Sequence, residues 1–158
     1  HHVQQILSLS SVQELRDKKE EINLLEMTNM LLKDYDLLAK EREISVVNQL
    51  TDQQIYLNSS VLKLILSNLI SNAVKHSVQG GLLKIGVKDD WMFIENTCTH
   101  EEQDKFEQSF TSSSRQSKGA GLGLFVVKSL LENEEIDYRF ERNEDHLVFY
   151  MNLLQKLE

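Results

Sequence analysis

Asn68, Asn72 and Lys75 stand at i, i+4 and i+7 in the run SSVLKLILSNLISNAVKH, residues 59–76. On a helix this spacing lines two carboxamides and one ammonium along a single stripe. Leu62, Leu66, Leu69 and Ala73 recur at i, i+4, i+7 and i+11 and form an apolar stripe roughly a third of a turn away. Polar groups beside a buried stripe need partners, because burying one unpaired costs roughly 1–3 kcal/mol. A bound phosphate or metal ion would supply them, and so would water on the solvated face of an ordinary amphipathic helix. A second stretch bears on that choice. Gly119-Ala-Gly-Leu-Gly-Leu124 precedes a helical pattern over Phe125 to Leu131. Alternate glycines ahead of a helix let the backbone approach phosphate oxygens, where the helix N-terminus offers amide donors and a partial positive charge. A dinucleotide fold would place a hydrophobic strand directly before such glycines. Here the preceding segment is TSSSRQSK, residues 111–118, which disfavours that fold. This segment has little apolar surface to offset the roughly 1–2 kcal/mol of backbone entropy lost per ordered residue, so it is expected to be mobile without nucleotide.

The remaining elements must position these two stretches. Ser59 or Ser60 is the expected N-cap of the central helix. Before it, Val3 to Arg16 reads as the tail of a longer helix, Ile22 to Leu25 as an edge strand and Glu26 to Lys40 as an amphipathic helix through Met27, Met30, Leu31, Tyr35 and Leu38. Ile44–Asn48 and Gln54–Leu57 follow as strands. After the central helix, Gly80-Gly81 marks a turn, and Leu82–Val87 and Trp91–Glu95 flank Asp89-Asp90 as a hairpin. Glu101 to Phe110 is weakly helical, with Phe106 and Phe110 one turn apart. Asp137–Arg142 and Leu147–Leu153 read as a second hairpin. Strands interspersed with three packed helices, without regular βαβ alternation, predict an α+β two-layer sandwich.

Composition narrows the function classes. The 158 residues are 41% hydrophobic, enough for one core. No apolar run reaches the roughly 18–20 residues of a membrane helix, and a soluble domain is expected. The formal net charge of −8 argues against a nucleic-acid surface. The single cysteine, Cys98, fits a reducing compartment and reads as an inert buried thiol, with His100 nearby as its one candidate activator.

The run Asn68-Leu-Ile-Ser-Asn72-Ala-Val-Lys75-His76-Ser resembles the N box of sensor histidine kinases, and Gly119-Ala-Gly121-Leu-Gly123-Leu resembles their second glycine box. Phe106 and Phe110 stand where that family has its phenylalanine box. The resemblance covers about residues 20–155, and the style of the chain is similar to that of the vancomycin-resistance type of sensor. It implies a GHKL-type (Bergerat) ATP-binding catalytic domain over residues 20–158: a two-layer α/β sandwich whose mixed, mostly antiparallel sheet carries three helices on one face. Residues 1–16 would end a dimerisation and phosphotransfer helix.

The resemblance also implies roles. Asn72 would hold Mg2+, with Asn68 and Lys75 beside it at the reacting phosphates and His76 near them. Gly119, Gly121, Leu122, Gly123 and Leu124 would frame the phosphate loop, and Arg115 and Lys118 would belong to the flexible ATP lid. Where the family shows Asp-x-Gly-x-Gly, this chain has Asn96-Thr-Cys-Thr-His100, so Asn96 is expected to read the adenine amino group, with Glu95 as the rival alignment. No stretch matches the family's phosphoacceptor histidine. ATP and Mg2+ are the implied ligands. The implied partners are a response regulator and the protein's own dimerisation domain in a homodimer, with no nucleic acid. The implied setting is the cytoplasmic part of a bacterial membrane-bound sensor. Two other readings are a regulatory nucleotide-binding or interaction module, and an ATPase of the gyrase and chaperone kind. The ATPases carry a carboxylate general base at the position of Asn68, which cannot take a proton.

Overall fold

The structure, a computed structural model, describes residues 18–111 and 120–154, with the backbone alone at 120–122. The expected helix over residues 1–16, and Arg115, Lys118 and Gly119, lie outside the described residues. In chain order the elements are β1 (Glu20–Asn23), α1 (Leu24–Asp34), α2 (Asp36–Glu41), β2 (Ser45–Asn48), β3 (Gln54–Leu57), α3 (Ser59–His76), β4 (Leu82–Lys88), β5 (Trp91–Thr97), α4 (His100–Thr111), α5 (Ala120–Asn133), β6 (Tyr138–Arg142) and β7 (His146–Met151).

Five strands form one sheet in the order β2-β4-β5-β7-β6, and β1 and β3 form a separate antiparallel pair. Only β2 and β4 run parallel in the larger sheet, so it is mixed and mostly antiparallel, as expected. The first hairpin uses its turn as read: Asp89 and Asp90 take positive φ of 53° and 68°, the left-handed pair that suits a two-residue connection. Helix α3 packs between α1 and α5, and α4 flanks α5. Its apolar stripe, with Ile65, Ile70 and Val74, is buried against inward residues of the sheet such as Leu83, Ile85, Met92 and Ile94. Phe106 and Phe110 stack at 5.7 Å and meet Phe149 of β7 edge-on, which fastens α4 to the sheet.

Several boundaries differ from the reading of the sequence, each for a tertiary reason. The N-cap of α3 is Asn58, not Ser59 or Ser60. Its side-chain oxygen accepts from the amides of Ser60 and Val61 at 2.8 and 3.1 Å, and its amide donates to the Lys18 carbonyl. No serine hydroxyl combines those three bonds. The apolar run at Ile22–Leu25 is split, because Asn23 ends β1 and caps α1 by accepting from the Glu26 amide. The helix expected over Glu26–Lys40 is broken at Tyr35, whose hydroxyl lies 3.3 Å from Ser67 Oγ on α3. Met30 on that helix is turned outward rather than into the core. The glycine run is not a loop throughout: α5 begins at Ala120, so Gly121 and Gly123 stand within its first turns.

Candidate functional site

The polar stripe of α3 lies beside the start of α5. Asn68 is half-buried and donates from Nδ2 to the Leu64 carbonyl one turn earlier at 2.8 Å, which aims its Oδ1 at α5. A Cβ at Gly123 would fall 2.8 Å from that oxygen, closer than atoms tolerate. Glycine at 123 lets the two helices approach with the Asn68 carboxamide in this rotamer, and a larger residue would make that side chain turn, a different demand from the backbone freedom read from the sequence. Asn72, one turn further on, is half-buried and makes no side-chain hydrogen bond among the described residues. Lys75 is exposed and has no ion pair among the described residues. His76 Nδ1 lies 3.1 Å from Glu102 Oε1, which ties the end of α3 to α4. One carboxamide and one ammonium thus stand without partners among the described residues, on the same stripe as Asn68, which meets the first turns of α5, where amide donors and the positive end of the dipole favour an anion.

Asn96 closes the same region from the sheet side. Residues alternate faces along β5, so Met92, Ile94 and Asn96 point inward beneath the helices while Phe93, Glu95 and Thr97 point outward. Asn96 is 6% exposed, and its Nδ2 donates to Ser77 Oγ at 3.0 Å. Ser77 itself is the C-cap of α3 and donates its hydroxyl to the Ala73 carbonyl at 2.5 Å. Glu95, the rival alignment, faces away from α3, and its Oε2 lies 2.6 Å from His146 Nδ1. Two residues beyond Asn96, burial pushes the Cys98 thiol up to about 11, Glu102 adds to the effect and Arg142 opposes it. This agrees with an inert thiol.

Other expected site residues have mixed fates. The Leu124 side chain is 2% exposed within the hydrophobic core, so any contact it makes with a ligand must come from its backbone. Gly121 lies in α5, and Leu122 is described by its backbone alone. Among the described residues no cluster of His, Cys, Asp and Glu could hold a metal ion; the carboxamide oxygens of Asn68 and Asn72 both lack hydrogen-bond partners there, and Asn72 alone has neither end of its carboxamide engaged. Sequence reasoning missed Ser77, Glu102 and Arg42, the last of which donates to the Ser77 carbonyl. Ser77 directly follows the Asn68–His76 motif, a signal that was legible, whereas Arg42 and Glu102 carry no local mark.

Comparison with known proteins places this geometry. Residues 58–154 match the family described as histidine kinase-, DNA gyrase B- and HSP90-like ATPase. The sensor histidine protein kinase HK06 of Streptococcus pneumoniae serotype 2 is 29% identical over 160 residues, covering 97% of this chain and 36% of the relative. The sensor protein VanSB of Enterococcus faecalis is 28% identical over 135 residues, covering 78% of this chain and 30% of the relative. The chain therefore spans roughly a third of the length of these curated relatives. Among solved structures, the catalytic domain of histidine kinase ThkA superposes with a TM-score of 0.73 at 23% identity, over 85% of this chain and 95% of that one. Histidine kinase AdeS of Acinetobacter baumannii superposes with a TM-score of 0.74 at 21% identity, over 98% and 77%. At that identity the structures speak for the fold, and the family match covers more than half of the chain. The chain belongs to the histidine kinase-, DNA gyrase B- and HSP90-like ATPase family.

Proposed function

We propose that this chain is the ATP-binding catalytic part of a two-component sensor histidine kinase, which passes the γ-phosphoryl group of Mg-ATP to a histidine on a dimerisation domain. In that transfer the bond from γ-phosphorus to the β,γ-bridging oxygen breaks, a phosphorus–nitrogen bond to the acceptor imidazole forms, the imidazole gives up its N–H proton and ADP leaves. The observation that carries the reading is the close approach of α5's first turns to Asn68 at Gly123, with Asn72 and Lys75 continuing the same stripe of α3 without side-chain partners among the described residues.

The proposed roles follow from chemistry. Lys75 supplies a mobile point charge to the phosphates, and the first turns of α5, with Gly121 and Gly123, supply backbone amides. Gly119, Arg115 and Lys118 would serve the phosphates from the segment preceding α5. Asn68 holds α5 at its packing distance and orients that wall of the site. The neighbouring His76 is held by Glu102, so it shapes the α3–α4 edge of the pocket. Asn96 accepts from the adenine amino group.

The residues fit Mg2+ only as a shared ion. One neutral carboxamide oxygen, at Asn72, cannot complete an octahedral shell, but it can contribute one ligand beside phosphate oxygens and waters. When bound, the ion would neutralise charge developing on the bridging oxygens. The proposed partners are a response regulator and a second copy of the full-length protein through its dimerisation domain. The proposed setting is the cytoplasmic side of a bacterial membrane. Titration of a fluorescent ATP analogue with and without Mg2+ tests the reading. The wild-type chain should bind it more tightly with Mg2+, and Asn72→Ala should lose that gain, about tenfold in affinity, while unfolding like the wild type. Equal affinities would remove Asn72 from the metal, and no binding by the wild type would overturn the nucleotide reading.

A further inference from the structure

At the end of α3 the hydrogen bonds run in one direction. The Ala73 carbonyl accepts both the Ser77 amide, at 3.1 Å, and the Ser77 hydroxyl, at 2.5 Å. A carbonyl oxygen can only accept, so the one hydroxyl proton of Ser77 is committed to it. Ser77 Oγ then has only lone pairs to offer, and whatever meets it must donate. Of the two ends of the Asn96 carboxamide only Nδ2 can do so, and it lies 3.0 Å away. The opposite rotamer would set Oδ1 against those lone pairs, with both side chains buried. The serine cannot turn away easily, because the Arg42 guanidinium holds its carbonyl and the next amide, of Val78, donates to the Thr97 carbonyl at 3.0 Å. Among the described residues the Asn96 Oδ1 has no hydrogen-bond partner.

We propose that Ser77 is a specificity-determining positioning residue, which fixes the Asn96 carboxamide with its oxygen as the free end and so restricts the site to purines bearing an exocyclic amine. A carboxylate at this position would present an acceptor in either orientation. A carboxamide is two-faced, and the neighbour that sets its direction sets the base. With Oδ1 outward, a 6-amino purine donates to it, whereas a 6-keto purine meets it oxygen to oxygen. The inference rests on the nucleotide-binding reading and adds the device that chooses among nucleotides.

Calorimetry with ATP and ITP, which differ at the purine 6-substituent, tests it on the wild-type chain and on Ser77→Ala and Ser77→Thr. The wild type should prefer ATP by about tenfold or more, a discrimination expected when a buried polar group would be left facing a like partner. Ser77→Ala frees the amide to rotate, and the preference should shrink to about threefold or less with both nucleotides still bound; Ser77→Thr, which keeps the hydroxyl, should retain it. Should the alanine variant fail to fold, Ser77→Cys keeps the shape with a weak acceptor and carries the same expectation. An unchanged ratio in the variant lacking the hydroxyl, or no preference in the wild type, would overturn the assignment while leaving nucleotide binding intact. Binding of neither nucleotide by the wild type would instead overturn the nucleotide reading, and this inference with it.

Discussion

Glu95 and Asn96 are neighbours on β5, and their side chains end in opposite chemistry. On the outer face Glu95 lies 2.6 Å from His146 Nδ1, and His146 Nε2 lies 3.5 Å from an Asp145 carboxylate oxygen, all in contact with water. On the inner face Asn96, Ser77 and the Ala73 carbonyl form a neutral chain beneath α3. One residue along a strand changes which layer a side chain belongs to. The inner layer is dry and admits polar groups only when their hydrogen bonds are directed, whereas the outer layer can leave part of the work to solvent. A base-reading group held in one orientation has to come from the first kind of environment.

The sharpest way to break this comparison is to truncate each neighbour. Asn96→Ala should weaken ATP binding at least tenfold and cost roughly 1–3 kcal/mol of stability by removing a buried, directed hydrogen bond. Glu95→Ala should leave ATP affinity within about twofold. Calorimetry and denaturant titration read both quantities, and the reverse pattern would move base recognition to the outer face.

The dryness of the inner layer can be probed separately through Cys98. Its thiol is raised in the folded chain from an ordinary 9.0 to about 11, chiefly by burial. Between those values the unfolded chain has released the proton and the folded chain still holds it, so the folded state binds more protons and stability falls as pH rises. A shift of that size corresponds to at most roughly 3 kcal/mol in all, of which roughly 2 kcal/mol is lost between pH 9 and 11. Tyr138, raised to about 12 by burial and its bond to Glu132, adds a further loss at still higher pH. Cys98→Ala should therefore lose less stability than the wild type between pH 9 and 11, by roughly 2 kcal/mol, with the Tyr138 contribution common to both. Parallel pH profiles for the two proteins would mean that the cysteine is wetter than the core around it.

The smallest effect belongs to the outer pair. Glu95→Gln should change stability by no more than about 0.5–1 kcal/mol, because both partners keep contact with water and salt screens them. A loss above roughly 2 kcal/mol in urea denaturation would show that the outer face is as strictly organised as the inner one.

Local patterning carried much of this architecture. The two stripes of α3 follow from helical period alone, and the helix spans Ser59–His76 as its apolar residues require. Gln54–Leu57 and the Asp89-Asp90 hairpin are legible for the same reason: alternation and turn chemistry act between residues close along the chain. The Asn68 and Asn72 spacing, together with the glycine run, was enough to indicate the family.

Only the folded chain could decide the rest, because the deciding partners are far apart in sequence. Asn96 meets Ser77 across 19 residues and Glu95 meets His146 across 51, so no local rule could rank the two neighbours. Tyr35, where the expected helix breaks, meets Ser67 of another helix, and Gly123 meets the carboxamide of Asn68. Even the direction of the Asn96 amide comes from a serine whose own proton is claimed by its helix. Residue types and spacing determined which groups were available for phosphate and base chemistry. Packing determined which of them are buried, oriented and left with a free end, since those properties exist only where distant segments touch.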